Sequence, residues 1–186
     1  AYFAAAAELG IPRNDDMTGE NQEGAGYYQL TQRNARRSSA AMAYLAPNRH
    51  RPNLTVRTGA QVKRITVEGA RATGVEMMDG SRIMATSEVL LASGAIGSPR
   101  MLMLSGIGPA DHLAEVGVTP VFDQAGVGGN FQDHLDLFVI AEVTGPHTYD
   151  RYAKPHWSAL AGLEYLLTRK GPVASSLFET GGFWYA

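Results

Sequence analysis

Apolar and polar residues alternate through the middle of the chain in short runs separated by turn-forming pairs. Such runs, rich in β-branched residues, predict strands, and the Glu68-Gly69 and Asp79-Gly80 pairs predict the turns between them. The sequence therefore predicts a β-meander, whose strands cover 54–56, 61–67, 72–78 and 82–85.

The run Glu88–Ala92 differs because it is apolar nearly throughout, as expected of a strand buried on both faces of a parallel sheet. A glycine turn and a predicted helix follow, in which Ser98 is expected to cap the helix, Pro99 to occupy its first position and Gly106 to end it. In α/β proteins this arrangement brings backbone N–H groups to a phosphate. It also suits a strand-to-helix joint that binds nothing, and both interpretations stay open.

Helical and loop patterns surround this middle part. Predicted helices end at Gly10 and cover 38–45, 109–116 and 157–169; loops are predicted at 11–28 and after Asp123, and further strands at 135–143 and 178–185. This mixture of helices and strands predicts an α/β fold with α+β character.

Composition places the chain among ordinary globular proteins. It has 186 residues, of which 45% are hydrophobic and 18% charged, with a formal net charge of −2. We expect one or two domains that bury roughly 70% of the surface of the unfolded chain. The balanced charge gives no global attraction for nucleic acid or an anionic membrane, and no apolar run reaches the roughly 18 residues of a membrane span.

Residue types exclude several chemistries. The chain has no cysteine, which rules out disulfides and thiolate metal sites and fits a reducing, cytoplasmic location, while peripheral membrane association of a longer protein stays open. Its histidines show no metal-site spacing, and no GxSxG motif of a serine hydrolase is present. Arg33, Arg36 and Arg37 form a basic cluster, for which a solvated surface is favoured over an acidic, phosphate or nucleic acid partner.

Most of the chain resembles one enzyme family. The segment Gly94–Gly108, GAIGSPRMLMLSGIG, is similar to the second signature of the glucose-methanol-choline (GMC) oxidoreductases, in which small residues precede Ser-Pro, two aliphatic residues and Ser-Gly-aliphatic-Gly. Further similar segments are Asp15–Met17, Gln22–Gly24, Arg36–Leu45, Pro52–Val56, Gly126–Gly128 and Asn130–His134.

The resemblance implies FAD as the cofactor and the oxidation of a small alcohol, choline or another primary alcohol, to its aldehyde. It implies that residues 1–133 form part of an FAD-binding, Rossmann-like domain that contains the meander. Residues 134–186 would begin a substrate-binding domain built on an antiparallel sheet. The resemblance identifies no electron acceptor.

Three places are implied to hold FAD. Val62 matches the position from which relatives hold the adenine through backbone atoms, although it equally suits an ordinary strand residue of the core. Ser93, Gly94 and Ala95 offer N–H groups without bulky side chains, as a pyrophosphate or ribose requires. Asn130 lies in an NxQDH segment that the family places near the flavin, and the alternative is a buried polar residue that only satisfies backbone groups.

Glu179 is implied to bind substrate. Its carboxylate would face the flavin and pair with the quaternary ammonium of a choline-type substrate, aided by the aromatic faces of Phe178, Phe183 or Trp184. The alternative is a carboxylate that forms a salt bridge within the substrate domain. His134 is not expected to be catalytic, because the catalytic histidine of the family lies toward the C-terminus of the full protein and nothing here matches its motif.

The chain also departs from the family pattern. It lacks the GxGxxG fingerprint and the first family signature, and it does not begin with methionine. We therefore expect an excised middle portion that neither oxidises alcohol nor holds FAD tightly by itself, with a non-catalytic binding module as the alternative. Ala35 stands where a turn glycine is frequent, and it would be strained if that turn needs a positive φ.

Overall fold

The computed structural model describes residues 2–142, 144–145, 148–176 and 178–184. Helices and short strands are mixed along the chain, which confirms the predicted fold class. The helices are α1 (Tyr2–Glu8), a π-helix (Ala41–Leu45) continued by α2 (Ala46–Asn48), α3 (Gly94–Leu104), α4 (Ala110–Glu115) and α5 (Pro155–Thr168), with 3-10 turns at Tyr149–Ala153 and Pro172–Ala174. The strands are β1 (Gly24–Tyr27), β2 (Gln32–Arg33), β3 (Arg36–Arg37), β4 (Val62–Glu68), β5 (Arg71–Met77), β6 (Arg82–Met84), β7 (Ile107–Gly108), β8 (Phe122–Asp123) and β9 (Thr180–Phe183).

Contacts divide the chain into two compact units. One unit is Val56–Val139, and the other combines Ala1–Thr55 with Ile140–Ala186. None of the helices in the described part of the chain is both long and apolar enough to cross a membrane.

The predicted meander is confirmed as the sheet β4–β5–β6, in which both neighbouring pairs are antiparallel. Its apolar side buries Ile65 and Met77. Gly74 lies in β5, the central strand, with a φ of +154°, and a Cβ at this position would meet the carbonyl oxygen of Ile83 in β6. Only glycine therefore allows β6 to approach β5 this closely.

A buried carboxylate stabilises the polar side of the meander. Glu76 is 7% exposed and lies directly across from Arg64 on β4 and Arg82 on β6. A bulge in β4 at Lys63 brings this lysine to the same carboxylate, although neighbouring strand residues ordinarily point to opposite faces. The ion-pair distances to Glu76 are 2.8 Å from Lys63, 2.7 Å from Arg64 and 3.8 Å from Arg82.

Helix α3 is tied to the meander by a buried serine. The Oγ atom of Ser105 accepts a hydrogen bond from the Ile65 N–H at 2.9 Å and donates one to the Met101 carbonyl at 2.6 Å. Gly106, with a φ of +81°, ends the helix as predicted. Beyond it β7 pairs in parallel with β8, and Leu113 of α4 is fully buried.

The second unit joins distant parts of the sequence. β1 pairs antiparallel with β9, and the Tyr28 N–H extends this pairing by donating to the Glu179 carbonyl at 3.0 Å. β2 and β3 form a hairpin whose turn residues, Asn34 and Ala35, have φ values of 52° and 54°. Two positive φ angles define a type I′ turn, so Ala35 occupies the strained conformation expected for it.

Three predicted strands are wrong. Residues 54–56, 88–92 and 135–142 form no strand, and Val143, the last residue of the third prediction, lies outside the described residues. Leu90 is 82% and Leu135 is 98% exposed, so the expected burial is missing as well. A strand requires a neighbour that completes its ladder of hydrogen bonds, and no described segment pairs with these three runs.

Element bounds differ at three further places. β1 forms inside the stretch predicted as a loop, because β9 provides a pairing partner that local sequence does not reveal. The helix predicted for 38–45 starts at Ala41 and continues through Pro47, which α2 accommodates in its first turn. Pro109 is the N-cap of α4 rather than its first residue. The predicted α1, α5 and β9 are confirmed within a few residues, with Tyr185 outside the described part.

The chain buries far less surface than predicted. Its accessible surface is 15,044 Å². A compact protein of this length would expose about 8,700 Å², and two separate domains of half the mass about 10,400 Å². The expectation of roughly 70% burial is therefore wrong. Apolar residues that are buried in the described part are Ala6, Met17, Ala25, Ile65, Met77, Leu113 and Ala161.

Candidate functional site

The bend that precedes α3 is open to solvent. Ser93, the N-cap of α3, and Gly94 and Ala95, its first two residues, are all exposed. Gly94 has a φ of +81°, and no atom lies within 4 Å of the position that a Cβ would take there. The first N–H groups of a helix have no partner inside it, so those of Gly94 and Ala95 can bond to a ligand. This bend fits the phosphate or sugar of a dinucleotide.

Helix α3 begins earlier than predicted, at Gly94, so the predicted roles of Ser98 and Pro99 at its start are wrong. The Oγ atom of Ser98 instead reaches back and accepts a hydrogen bond from the Ser93 N–H at 3.1 Å, as the returning half of a capping box does. Pro99 lies inside the helix, where it lacks the N–H that would bond to the Ala95 carbonyl. The Ser93 N–H is therefore already bonded, which leaves the N–H groups of Gly94 and Ala95 as the donors of the bend.

Val62 borders a cavity. It is the first residue of β4, is half-buried and pairs with Met77. A cavity of about 340 Å³ adjoins it, lined by Arg57, Thr58, Gly59, Ala60, Gln61, Met77, Met78 and Asp79. Both the residue that precedes Val62 and the residue that pairs with it thus line this cavity. Val62 itself is not among the lining residues, so the structure places it next to the cavity and not in it.

Asn130 is exposed, which differs from the buried structural role considered as its alternative. Its φ is 51°, a left-handed conformation that asparagine tolerates, and its Oδ1 atom accepts a hydrogen bond from Gln132 Nε2 at 3.0 Å. The preceding loop packs on α3, since a Cβ on Gly128 would lie 3.4 Å from Met103 Cε.

Helix α3 is the element shared by the three predicted cofactor positions. Its first two residues are Gly94 and Ala95. At its C-terminal end, Ser105 accepts a hydrogen bond from Ile65, which lies three residues after Val62 in β4. Its Met103 also packs against the loop that precedes Asn130. No side-chain hydrogen bond among the described residues joins the three positions directly. All of them belong to the unit Val56–Val139, whereas Glu179 belongs to the other unit.

Glu179 lines a separate cavity of about 450 Å³. Its Oε1 atom accepts hydrogen bonds from Ser175 Oγ at 2.6 Å and from the Tyr149 hydroxyl at 3.4 Å. Among the described residues no cation lies within ion-pair distance of this carboxylate, which differs from the salt bridge considered as its alternative role. Within the described ranges, the side chains that hydrogen-bond to this carboxylate are thus both hydroxyl donors.

The aromatic residues around Glu179 are not the predicted ones. Tyr149 and Tyr152 line the cavity, whereas Phe178, Phe183 and Trp184 do not. Arg151 lines the same cavity and stacks over Tyr152, with its guanidinium carbon 4.7 Å from the ring centre. The cavity thus presents one carboxylate, one guanidinium and two tyrosine rings.

Several of these residues carry no signal in the sequence. Tyr149 lies 30 positions before Glu179 in sequence, and Arg151 lies two residues after Tyr149. Only folding therefore brings these two residues to the cavity that Glu179 lines. Ser175 lies four positions before Glu179, a spacing that could have suggested the bond. The cavity beside Val62 depends on the pairing of β4 with β5, which the predicted meander implied without locating the space.

Comparison with known proteins identifies the family. A family model described as GMC oxidoreductase matches residues 1–136. The chain belongs to the GMC oxidoreductase family. The resemblance inferred from residues 94–108 is thereby confirmed over most of the chain.

Relatives of this GMC chain include choline dehydrogenases. It is 44% identical to the oxygen-dependent choline dehydrogenase of Brucella ovis over 186 residues, which cover 98% of this chain and 34% of that protein. It is 42% identical to the mitochondrial choline dehydrogenase of Homo sapiens, covering 98% of this chain and 31% of that protein. The chain therefore spans about one third of the length of these relatives.

A solved structure supports the same family and its cofactor. The FAD-dependent oxidoreductase from Chaetomium thermophilum superimposes with a TM-score of 0.79 at 26% identity, covering 96% of this chain and 33% of that one. Family membership and this FAD-dependent structure indicate FAD as the cofactor. The open bend at Ser93–Ala95 fits such a group, since nothing obstructs Gly94.

Proposed function

We propose that the chain is the middle part of a longer flavoenzyme, the parent protein, which oxidises a primary alcohol of the choline type to its aldehyde. The open bend at 93–95 carries this proposal, because it offers N–H donors to a phosphate or sugar without side-chain obstruction. Similarity to choline dehydrogenases supports the choice of substrate class.

The residues proposed to hold FAD are Val62, Ser93, Gly94, Ala95 and Asn130. Val62 would present backbone atoms to the adenine, the 93–95 bend would bind the pyrophosphate or ribose, and Asn130 would lie near the flavin. Bound FAD would supply the acceptor for the hydride that leaves the alcohol carbon. No residue of this chain is assigned as the base that removes the hydroxyl proton.

Glu179 is the proposed substrate residue. Its carboxylate has hydroxyl partners and no neutralising cation among the described residues, so it can pair with a quaternary ammonium. The rings of Tyr149 and Tyr152 add faces that attract a cation. Arg151 opposes such a ligand, because its positive charge lines the same cavity. For an ammonium ligand to bind, the stacking of Arg151 on Tyr152 would have to keep the guanidinium away from the ammonium.

The division of the chain into a cofactor-binding part and a substrate-binding part that we propose is the one found in the family. Residues 1–133 would serve the cofactor, and residues 134–186 would begin the part that binds substrate. This division does not coincide with the two compact units, since residues 1–55 lie in the same unit as Glu179. We also propose that the chain alone neither binds FAD tightly nor oxidises alcohol.

Substrate charge gives the sharpest test of the Glu179 assignment. In the parent protein we expect Glu179→Gln to raise the KM for choline about tenfold, since one charge-assisted contact is lost. The KM for the neutral carbon isostere of choline should stay unchanged. Glu20→Gln, an exposed carboxylate in the same unit, is the matched control and should change neither value.

Three outcomes would contradict the proposal in different ways. Equal changes for choline and its neutral isostere would remove the ammonium role of Glu179. Oxidation of other alcohols but not choline would remove the substrate class. A parent protein that binds no flavin would remove the enzyme assignment and favour a binding module.

A further inference from the structure

Four arginines line one cavity in the unit that contains the chain ends. Arg33, Arg36 and Arg37 come from the β2–β3 hairpin, and Arg169 comes from the end of α5. The cavity measures about 380 Å³, within the range of small-molecule sites. Its remaining lining residues are Asn34, Ser38 and Met42.

Specific contacts bring Arg169 to the hairpin. The Tyr165 hydroxyl donates a hydrogen bond of 2.8 Å to the carbonyl of Ala35, the second turn residue of the hairpin. Arg169 then follows one turn later, in a left-handed conformation with a φ of 58° that ends α5. Its guanidinium carbon lies 4.9 Å from the centre of the Tyr165 ring. The fourth charge is therefore placed by tertiary structure and not by sequence neighbours.

The positive charge of this cavity is not neutralised within the described residues. Arg13, Arg64 and Arg82 each pair with a carboxylate, whereas no Asp or Glu in the described ranges lies within ion-pair distance of the four cavity arginines. The chain carries a formal net charge of −2, so acidic residues are not scarce. Four arginines that line one cavity, together with Ser38 and Asn34, suit a ligand with more than one negative charge.

We infer that this arginine cavity binds a phosphate-class oxyanion, preferably one with several charges such as pyrophosphate. Guanidinium groups match phosphate oxygens in pairs, and four of them supply more donors than a single carboxylate can accept. The cavity is distinct from the bend at 93–95, which uses backbone N–H groups of the other unit. Its test requires neither flavin nor alcohol, so its failure would leave the proposed function untouched.

Calorimetric titration of the purified parent protein with inorganic pyrophosphate, at constant ionic strength, tests the inference. We expect one saturable site. Arg36→Gln and Arg169→Gln should each weaken it about tenfold, because each removes charge-assisted hydrogen bonds. The matched control is Arg49→Gln, which removes an exposed arginine of the same unit outside the cavity and should leave affinity unchanged. Arg169→Lys keeps the charge and the fold but loses the paired donors, so it should weaken binding by less.

Comparison of ligands separates phosphate recognition from simple charge attraction. Malonate should bind more weakly than pyrophosphate, and equal binding of both would overturn the inference. ADP tests whether the phosphate belongs to a nucleotide. If ADP binds more tightly than pyrophosphate and its binding still depends on Arg169, the ligand is a nucleotide. An Arg49→Gln loss of pyrophosphate affinity equal to that of Arg169→Gln would refute the site. Circular dichroism of each variant shows whether the fold is kept.

Discussion

The β4–β6 meander and the two apolar runs at 88–92 and 135–142 give opposite outcomes from similar sequence patterns. Both have the residue types of strands, yet only the meander forms a ladder and buries Ile65 and Met77. In the apolar runs, Leu90 is 82% and Ile140 is 90% exposed.

Distance to a pairing partner explains the difference. β4, β5 and β6 follow one another through short turns, so each strand finds its neighbour locally. The apolar runs need neighbours that no described segment provides, and the chain spans about one third of its relatives. We propose that the missing neighbours belong to the remainder of the parent protein. An apolar run thus has the residue types of a strand, but it forms a strand only where another segment pairs with it.

Isoleucine in the two regions gives the largest expected contrast. Ile65→Ala removes a side chain that is 7% exposed and should destabilise the meander by about 3 kcal/mol, through lost burial and a cavity. Ile140→Ala removes the same atoms from a side chain that is already solvated, so its effect should stay within about 0.5 kcal/mol. Chemical denaturation of the two variants, followed by circular dichroism, measures both values. Similar losses from the two variants would show that the 135–142 run is packed.

Acid should weaken the meander through Glu76. Hydrogen bonds from Lys63 and Arg64 lower the pKa of Glu76 from 4.5 to about 2. A lowered folded pKa means that the stabilisation is complete above pH 4.5 and is lost as pH falls toward 2. Glu76→Gln should reduce this acid limb in the pH dependence of β4–β6 exchange protection, while lowering protection at neutral pH. Asp79 in the β5–β6 turn should supply the remainder, because hydrogen bonds from Ser81 lower the pKa of Asp79 as well. An unchanged acid limb in Glu76→Gln would assign it to other carboxylates.

The β2–β3 hairpin extends the comparison to a turn in the other unit and gives the smallest expected change. Ala35→Gly should stabilise the hairpin by about 0.5 to 1 kcal/mol, because glycine relieves the left-handed strain at a modest cost in unfolded-state entropy. The control Ala40→Gly changes a residue with a φ of −52° and should destabilise instead. Thermal unfolding of both variants measures the two signs. Destabilisation by Ala35→Gly would mean that the alanine side chain contributes packing that outweighs its strain.

Local rules predicted the parts of the fold that depend on local partners. The meander, α5 and the stop of α3 at Gly106 follow from alternation, periodicity and glycine conformation. Pairing of β1 with β9 was missed because the two strands come from opposite ends of the chain. The start of α3 was misplaced because Ser98 has the chemistry of a cap but reaches back to Ser93 from inside the helix.

The candidate site was predictable where it depends on backbone shape and unpredictable where it depends on tertiary neighbours. Gly94 was singled out by the absence of a side chain, and the structure places open space around it. Arg151 beside Glu179 and Arg169 beside the β2–β3 hairpin could not be foreseen, because folding brings them there from distant positions.

Flavin occupancy of two glycine variants of the parent protein tests the central claim most directly. Gly94 and Gly117 have similar φ values, +81° and +77°, and each has open space where a Cβ would lie. Gly94→Val and Gly117→Val therefore impose comparable backbone strain, but only Gly94→Val places a side chain in the bend proposed to accept the pyrophosphate or ribose. We predict that Gly94→Val is purified without flavin while Gly117→Val keeps its FAD. Equal flavin occupancy in the two variants would contradict the assignment of this bend to the cofactor.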